Sequence, residues 1–147
     1  MRAMGRGDGI DFTSQGLVGN TRDAHRLVQL AKTKSLTVQD KVMEQLFLSY
    51  FENGGDVTSH DMLVAAAEKG GLDPAEAKEW LARDSGGPEV DKEVSQSYSE
   101  GISGVPNFTI DGKYQINGAQ DVTVFLQQLV AAKENSAAGG QTNGLTC

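Results

Sequence analysis

The stretch from Gly101 to Gln120, GISGVPNFTIDGKYQINGAQ, decides how this chain is built. Asp111-Gly112 lies between two short runs rich in aromatic and branched residues, Phe108-Thr109-Ile110 and Tyr114-Gln115-Ile116. That dipeptide supplies the positive φ angles of a tight turn, so the spacing predicts an antiparallel hairpin. With a two-residue loop, Ile110 faces Lys113 and Phe108 faces Gln115. Tyr114 and Ile116 then fall on the opposite face with Thr109 and Asn107. Both faces carry apolar groups in this register, as in a sheet covered by helices on each side.

Working outward, Gly104-Val105-Pro106 stands at the mouth of the first strand. Proline has no N–H to donate, and X-Pro is the one common peptide bond for which cis is cheap, so Val105-Pro106 is a candidate cis bond. A trans proline opening a strand is the commoner arrangement. Beyond the second strand, Gly118-Ala119-Gln120 is a turn, and Gln120 or Asp121 caps a last helix. Its Val122, Phe125, Leu126, Leu129 and Val130 form one stripe, expected to pack on the hairpin.

Upstream, residues 1–9 are glycine-rich and are expected to be a flexible lead-in, with Arg6-Gly7-Asp8 part of it rather than an adhesion motif. No Lys-Ser/Thr pair follows to make a phosphate loop. Ile10 to Thr13 is expected to form a short strand. Asn20 can cap a helix with Ala24, Leu27, Val28 and Ala31 at helical spacing. Thr37-x-x-Asp40 resembles a capping box for a second helix carrying Val38, Val42, Leu46, Phe47, Tyr50 and Phe51. Its aromatic stripe could line a pocket, although such a face is usually plain core. Thr58-x-x-Asp61 opens a third helix closed by Gly70-Gly71. Asp73-Pro74-x-Glu76 opens a fourth that turns Ala77, Trp80 and Leu81 inward. A fifth carries Val90, Val94 and Tyr98 and stops at Gly101. Five helices between one weak strand and a hairpin indicate an α-rich insertion in an α/β fold.

With 147 residues, 38% of them hydrophobic, the chain can build one modest core. A formal charge of −7 argues against a nucleic-acid partner, because a phosphate backbone calls for clustered Lys and Arg. No apolar run approaches membrane-spanning length, and MRAMGRGDGI has no apolar signal core, so no membrane association and a cytoplasmic location are expected. The one cysteine, Cys147, is the last residue; no Cys-x-x-Cys pair exists, and nothing near it in sequence would lower a thiol pKa. His25 and His60 are the two histidines, on separate helices, and no spacing advertises a metal site. His25 is expected to be hydrogen-bonded at a helix edge. Glu89, Asp91 and Glu93 are most simply a solvated face rather than a catalytic carboxylate pair.

The Ile-x-Gly-Val-Pro segment, the hairpin with its Asp-Gly turn, the Gly118-Ala119-Gln120 turn and the last helix together resemble the C-terminal half of a thioredoxin-like domain. The chain is similar to the DsbA-like family, in its FrnE-like branch, whose relatives include 2-hydroxychromene-2-carboxylate isomerases and kappa-class glutathione transferases. The segment Asn20-Thr21-Arg22-Asp23-Ala24-His25-Arg26-Leu27 resembles the Asn-Thr-x-x-Ala-His-Arg-Leu that opens the helical insertion of that branch.

The resemblance implies a partial thioredoxin-like fold over residues 10–133, with a helical insertion at about 20–100 and a disordered tail over residues 134–147. It implies a thiol-disulfide oxidoreductase by family, whose dithiol lies in a strand-to-helix connection not present in this sequence. It favours the cis form of Val105-Pro106, which would turn main-chain groups outward to hold an extended peptide or a glutathione-like thiol. Gly104, Val105 and Pro106 are the expected substrate-binding residues, with Gln120 at the helix start that holds the γ-glutamyl end in glutathione-binding relatives. No catalytic residue, metal ligand or resident cofactor is expected, glutathione being the one small ligand left open. A strand without a neighbour on one side leaves three expectations open: the early strand shifts to fill the gap, a second copy fills it in a homodimer through the exposed sheet edge, or the sequence is part of a longer one. The alternative function is a non-catalytic peptide- or glutathione-binding, chaperone-like module, and a small-molecule isomerase is more remote.

Overall fold

The computed structural model describes residues 2–139, in seven α-helices and one two-stranded sheet. The mixed α/β class, with helices preceding a C-terminal hairpin and helix, agrees with the sequence reading. The chain groups into two compact units, Met1–Ser95 and Gln96–Cys147, where the composition gave an expectation of one core.

In the first unit α1 (Arg2–Gly7) replaces the expected flexible lead-in. Gly5 is buried there because a Cβ on it would stand 2.5 Å from the Phe12 ring, and only glycine lets that ring close over the helix. The expected strand at Ile10 to Thr13 does not form. Thr13 N–H instead donates to Phe51 O (2.8 Å), and the sole bridge nearby joins Leu17 to Asp56.

Helices α2 (Arg22–Lys34), α3 (Leu36–Phe47), α4 (His60–Lys69) and α5 (Pro74–Ala82) then pack on one another. Their caps lie close to the expected positions but differ in residue. Ser35, not Thr37, caps α3 by accepting from Val38 N–H, and Ser59, not Thr58, caps α4 by accepting from Met62 N–H. Asp73 caps α5 ahead of Pro74 as its chemistry requires. Asn20 does not bound α2, but its Oδ1 still accepts from Arg22 N–H at 2.9 Å. Beyond Phe47 the third helix widens into a π-helical turn, Leu48–Glu52, where Asn53 N–H reaches Leu48 O at 3.2 Å.

The core of this unit is Leu27, Leu30, Ala31, Val42, Leu46, Leu63, Ala66, Ala67, Leu72, Ala77 and Leu81, with Trp80 packed against it. Set into it is Arg26, only 2% exposed. Its guanidinium donates to Asp23 Oδ1 (2.7 Å) and to the carbonyls of Ser85 (3.0 Å), Trp80 (2.9 Å) and Leu81 (3.1 Å). Trp80 Nε1 returns a bond to Arg26 O at 3.0 Å.

Helix α6 (Gly87–Ser99) ties back through Asp91 and Glu93, which with Glu89 are exposed as the solvated-face reading expects. Arg22 donates to Asp91 (2.9 and 3.0 Å) and to Asp84 (2.6 Å), while Gln29 and Lys32 donate to Glu93. Val90 is buried as expected, but Val94 and Tyr98 are exposed.

These pairs give the stability a pH dependence with a definite sign. The hydrogen bond to Arg22 holds the Asp84 and Asp91 carboxyls below their ordinary value. Partial burial pushes Asp23 up, but hydrogen bonds from His60 and Arg26 outweigh it and leave that carboxyl low as well. A carboxylate with a lowered native pKa contributes stability above its unfolded pKa and loses it as pH falls through the native value. The urea midpoint, followed by Trp80 fluorescence, should therefore hold from pH 7 to about 5 and fall steeply below about 4. An Asp84→Asn, Asp91→Asn double variant should show a shallower fall than the parent chain.

In the second unit β1 (Asn107–Ile110) pairs antiparallel with β2 (Tyr114–Asn117). The register is Phe108 opposite Ile116 and Ile110 opposite Tyr114, one residue away from the two-residue-loop expectation. Asp111 (φ 53°) and Gly112 (φ 64°) do make the left-handed turn, but Lys113 is used in the connection as well. The slip changes the faces. Phe108, Ile110, Tyr114 and Ile116 share one apolar face, and Asn107, Thr109, Gln115 and Asn117 share a polar one.

Helix α7 (Val122–Gly139) covers the apolar face, with Phe125 meeting Phe108 edge-on at 4.9 Å and Asn135 donating to the Tyr114 hydroxyl at 2.7 Å. Because it runs to Gly139, the expected tail from 134 is helical over its first six residues. The rest of that expectation, Cys147 included, lies outside the described residues. Of the expected stripe only Phe125 faces the hairpin; Val122, Leu126, Leu129 and Val130 are exposed, because Val124, Gln128, Ala131 and Ala132 take the inward positions.

Candidate functional site

The expected docking residues form a continuous exposed segment, and the peptide bond between Val105 and Pro106 is cis. Val105 is 90% exposed, and neither its N–H nor its C=O has a partner among the described residues. A Cβ on Gly104 would meet nothing within 4 Å, so the approach to Val105 is open.

One hydrogen bond fixes the geometry of everything that follows. Gly118 N–H donates to Pro106 O at 2.8 Å, extending the β1–β2 ladder by one position. Main-chain groups in an antiparallel pair point alternately toward and away from the partner strand. Pro106, Phe108 and Ile110 are thus the positions that turn toward β2, and Asn107 and Thr109 turn away from it. Among the described residues the sheet has two strands, and no third strand pairs with the outer edge of β1. Asn107 and Thr109 present main-chain donors and acceptors outward along β1, and the exposed Val105, in the bend before them, adds an N–H and a C=O with no partner among the described residues.

The same bond brings the Gly118–Asp121 turn beside Pro106, so both predicted pieces of the site meet. Gln120, however, is not directed to a guest. Its Nε2 donates to Asn117 O at 2.8 Å and braces the turn. Nor is the start of α7 open to a carboxylate. Asp121 Oδ1 accepts from the Thr123 N–H (2.9 Å) and hydroxyl (2.7 Å), and those bonds hold its own carboxyl below the ordinary range. A second anion there would meet this charge.

The other candidates resolve differently. The His25 imidazole has no hydrogen-bond partner among the described residues, contrary to the bonded helix-edge reading, whereas His60 Nε2 lies 2.8 Å from Asp23 Oδ2. Among the described residues no three His, Cys, Asp or Glu side chains gather as a metal site, and no helix is long and apolar enough to cross a membrane. Sequence reasoning missed Arg26. The available signal was its place one residue before Leu27 and four before Leu30, on the stripe that α2 buries.

A probable DsbA oxidoreductase from Streptomyces coelicolor, known from its crystal structure, superposes on this chain with a TM-score of 0.81 at 28% identity. The alignment covers 99% of this chain and 60% of that one, so the present sequence spans about three fifths of the neighbour's length. No curated protein matches. The DSBA-like thioredoxin domain matches residues 3–130, which takes in α2 to α6, the hairpin and the first half of α7. On that match the chain belongs to the DsbA-like thioredoxin domain family.

Proposed function

We propose that this chain carries the substrate-docking part of a DsbA-type thiol-disulfide oxidoreductase, and that it holds an extended peptide along the outer edge of β1. The observation that carries the reading is that the main-chain groups of Asn107 and Thr109 face away from β2, next to an exposed Val105 without main-chain partners among the described residues and an unobstructed Gly104. A peptide strand laid antiparallel along this edge donates to the Asn107 and Thr109 carbonyls and accepts from their N–H groups. Affinity then comes from the main chain, and one surface serves many sequences, as a protein that acts on varied substrates needs.

The redox step itself requires a thiolate and a second cysteine to resolve the mixed disulfide. The sequence supplies Cys147 alone and no Cys-x-x-Cys, so the oxidising pair would come from outside these residues. Without it the same edge acts as a peptide- or glutathione-binding module. The agreement of Asn20 to Leu27 with the helical-insertion motif supports the FrnE-like branch of the family. A glutathione-like thiol fits the edge through its peptide groups, not through the α7 turn that Asp121 occupies.

The test uses an extended, cysteine-free peptide and the same peptide N-methylated at alternate residues. Main-chain docking predicts that methylation removes two hydrogen bonds and weakens binding by about tenfold or more. Equal affinity for both peptides contradicts it. A second copy of the chain is the competing occupant of the edge, and a concentration-dependent dimer that peptide fails to dissociate would favour that reading instead.

A further inference from the structure

The helical unit contains a cavity of about 260 Å³ that the docking reading does not use. Ala24, Val28, Met43, Leu46, Phe47 and Phe51 give it apolar walls. The π-helical turn Leu48–Glu52 shapes one side. It sets Tyr50 edge-on to Phe51 at 5.0 Å and Phe47 against Phe51 at 5.8 Å, so the aromatic wall is braced ring against ring. This π turn ends the helix, with Asn53 as its cap and Gly54 at φ 67° turning the chain away. Gly16 keeps the loop backbone close to this wall, where a Cβ would stand 3.4 Å from the Tyr50 ring.

Three residues with polar side-chain groups are among those lining the same cavity: His25, Thr21 and Tyr50. None of these side-chain groups has a hydrogen-bond partner among the described residues. A mostly apolar hollow with a few unspent polar groups is the general form of a small-molecule site. Size narrows the ligand. A cavity of about 150 Å³ lined by Leu, Ile and Phe stays dry and takes up benzene. The larger volume here suits two fused rings, and the mainly apolar walls favour an uncharged molecule.

We propose that this cavity is a binding site for an uncharged aromatic molecule of one or two rings bearing one hydroxyl or carbonyl group, which bonds to His25. The site belongs to the helical unit alone and is independent of the peptide edge.

The experiment titrates the full chain, methyl-labelled for NMR, with 2-naphthol. Saturable shifts are expected at the Val28, Met43 and Leu46 methyls, and none at the exposed Leu126 and Leu129 of α7. His25→Ala should weaken binding about fivefold, the loss of one hydrogen bond, with an unchanged melting temperature. Ala24→Phe should abolish it by filling the cavity; because that change could also unfold the unit, the exposed His25 variant is the deciding one. Shifts that do not saturate, or that are equal at Leu126 and Leu129, overturn the proposal by showing general partition onto apolar surface. Unchanged affinity in His25→Ala overturns it too. So do pocket shifts that vary on dilution without ligand, which would place a second copy there.

Discussion

Arg26→Ala is expected to destabilise the helical unit by about 3–5 kcal/mol, the cost of breaking a buried, fully bonded charge. The guanidinium is the single polar group inside an otherwise apolar core, and its partners lie on three parts of the chain: Asp23 on α2, Trp80 and Leu81 on α5, and Ser85 beyond it. Truncation loses those bonds; Trp80 O keeps the Ser85 N–H, but the Leu81 and Ser85 carbonyls lose the guanidinium donor. It also leaves the Asp23 carboxylate with His60 alone. Arg26→Lys should recover part of the loss, since an ammonium keeps the charge but cannot reach several carbonyls through one planar fork. Trp80, the one tryptophan and itself bonded to Arg26 O, reports the transition directly in urea melts.

Gly70→Ala is expected to cost about 2–3 kcal/mol, because it overpacks a contact between two helices that cannot separate without opening the core. A Cβ at Gly70 would stand 2.8 Å from Val42 Cα and 2.9 Å from Val42 N, which are main-chain atoms on α3 with nowhere to move. Gly70 has an ordinary helical φ of −78°, so the cost is contact and not backbone conformation. Gly71 provides the control. Its φ is +96° and a Cβ there meets nothing within 4 Å, so Gly71→Ala should cost about 1–2 kcal/mol, through left-handed backbone alone. Equal effects at the two positions would show that the close crossing is not what Gly70 provides.

The sequence carried the helices because their signals are local. Asp73 ahead of Pro74, and Gly70-Gly71 after Lys69, act within one turn of the residues they organise. It carried the hairpin for the same reason, since Asp111-Gly112 can adopt the left-handed turn on its own. Register was less legible. Whether Lys113 belongs to the turn or to the strand depends on the burial of Tyr114 and Ile116 against α7, a tertiary matter. The α7 stripe was read correctly as apolar and wrongly as inward, because the hairpin is narrow enough to be covered by Phe125 and small residues. At the site, Gly104, Val105 and Pro106 were singled out from local chemistry, and the structure leaves them exposed. The Gln120 side chain bonds to a carbonyl only three residues back, a contact the sequence does not advertise. Arg26 escaped notice because a charge on an apolar stripe shows its partners only after α5 has folded over it.

The most direct measurement is amide hydrogen exchange, residue by residue, with and without a saturating extended peptide. Docking along the β1 edge predicts slower exchange at Val105, Asn107 and Thr109 and no change at Phe108 and Ile110, whose main-chain groups already face β2. Peptide binding that leaves Val105, Asn107 and Thr109 exchanging at their free rates would contradict the account.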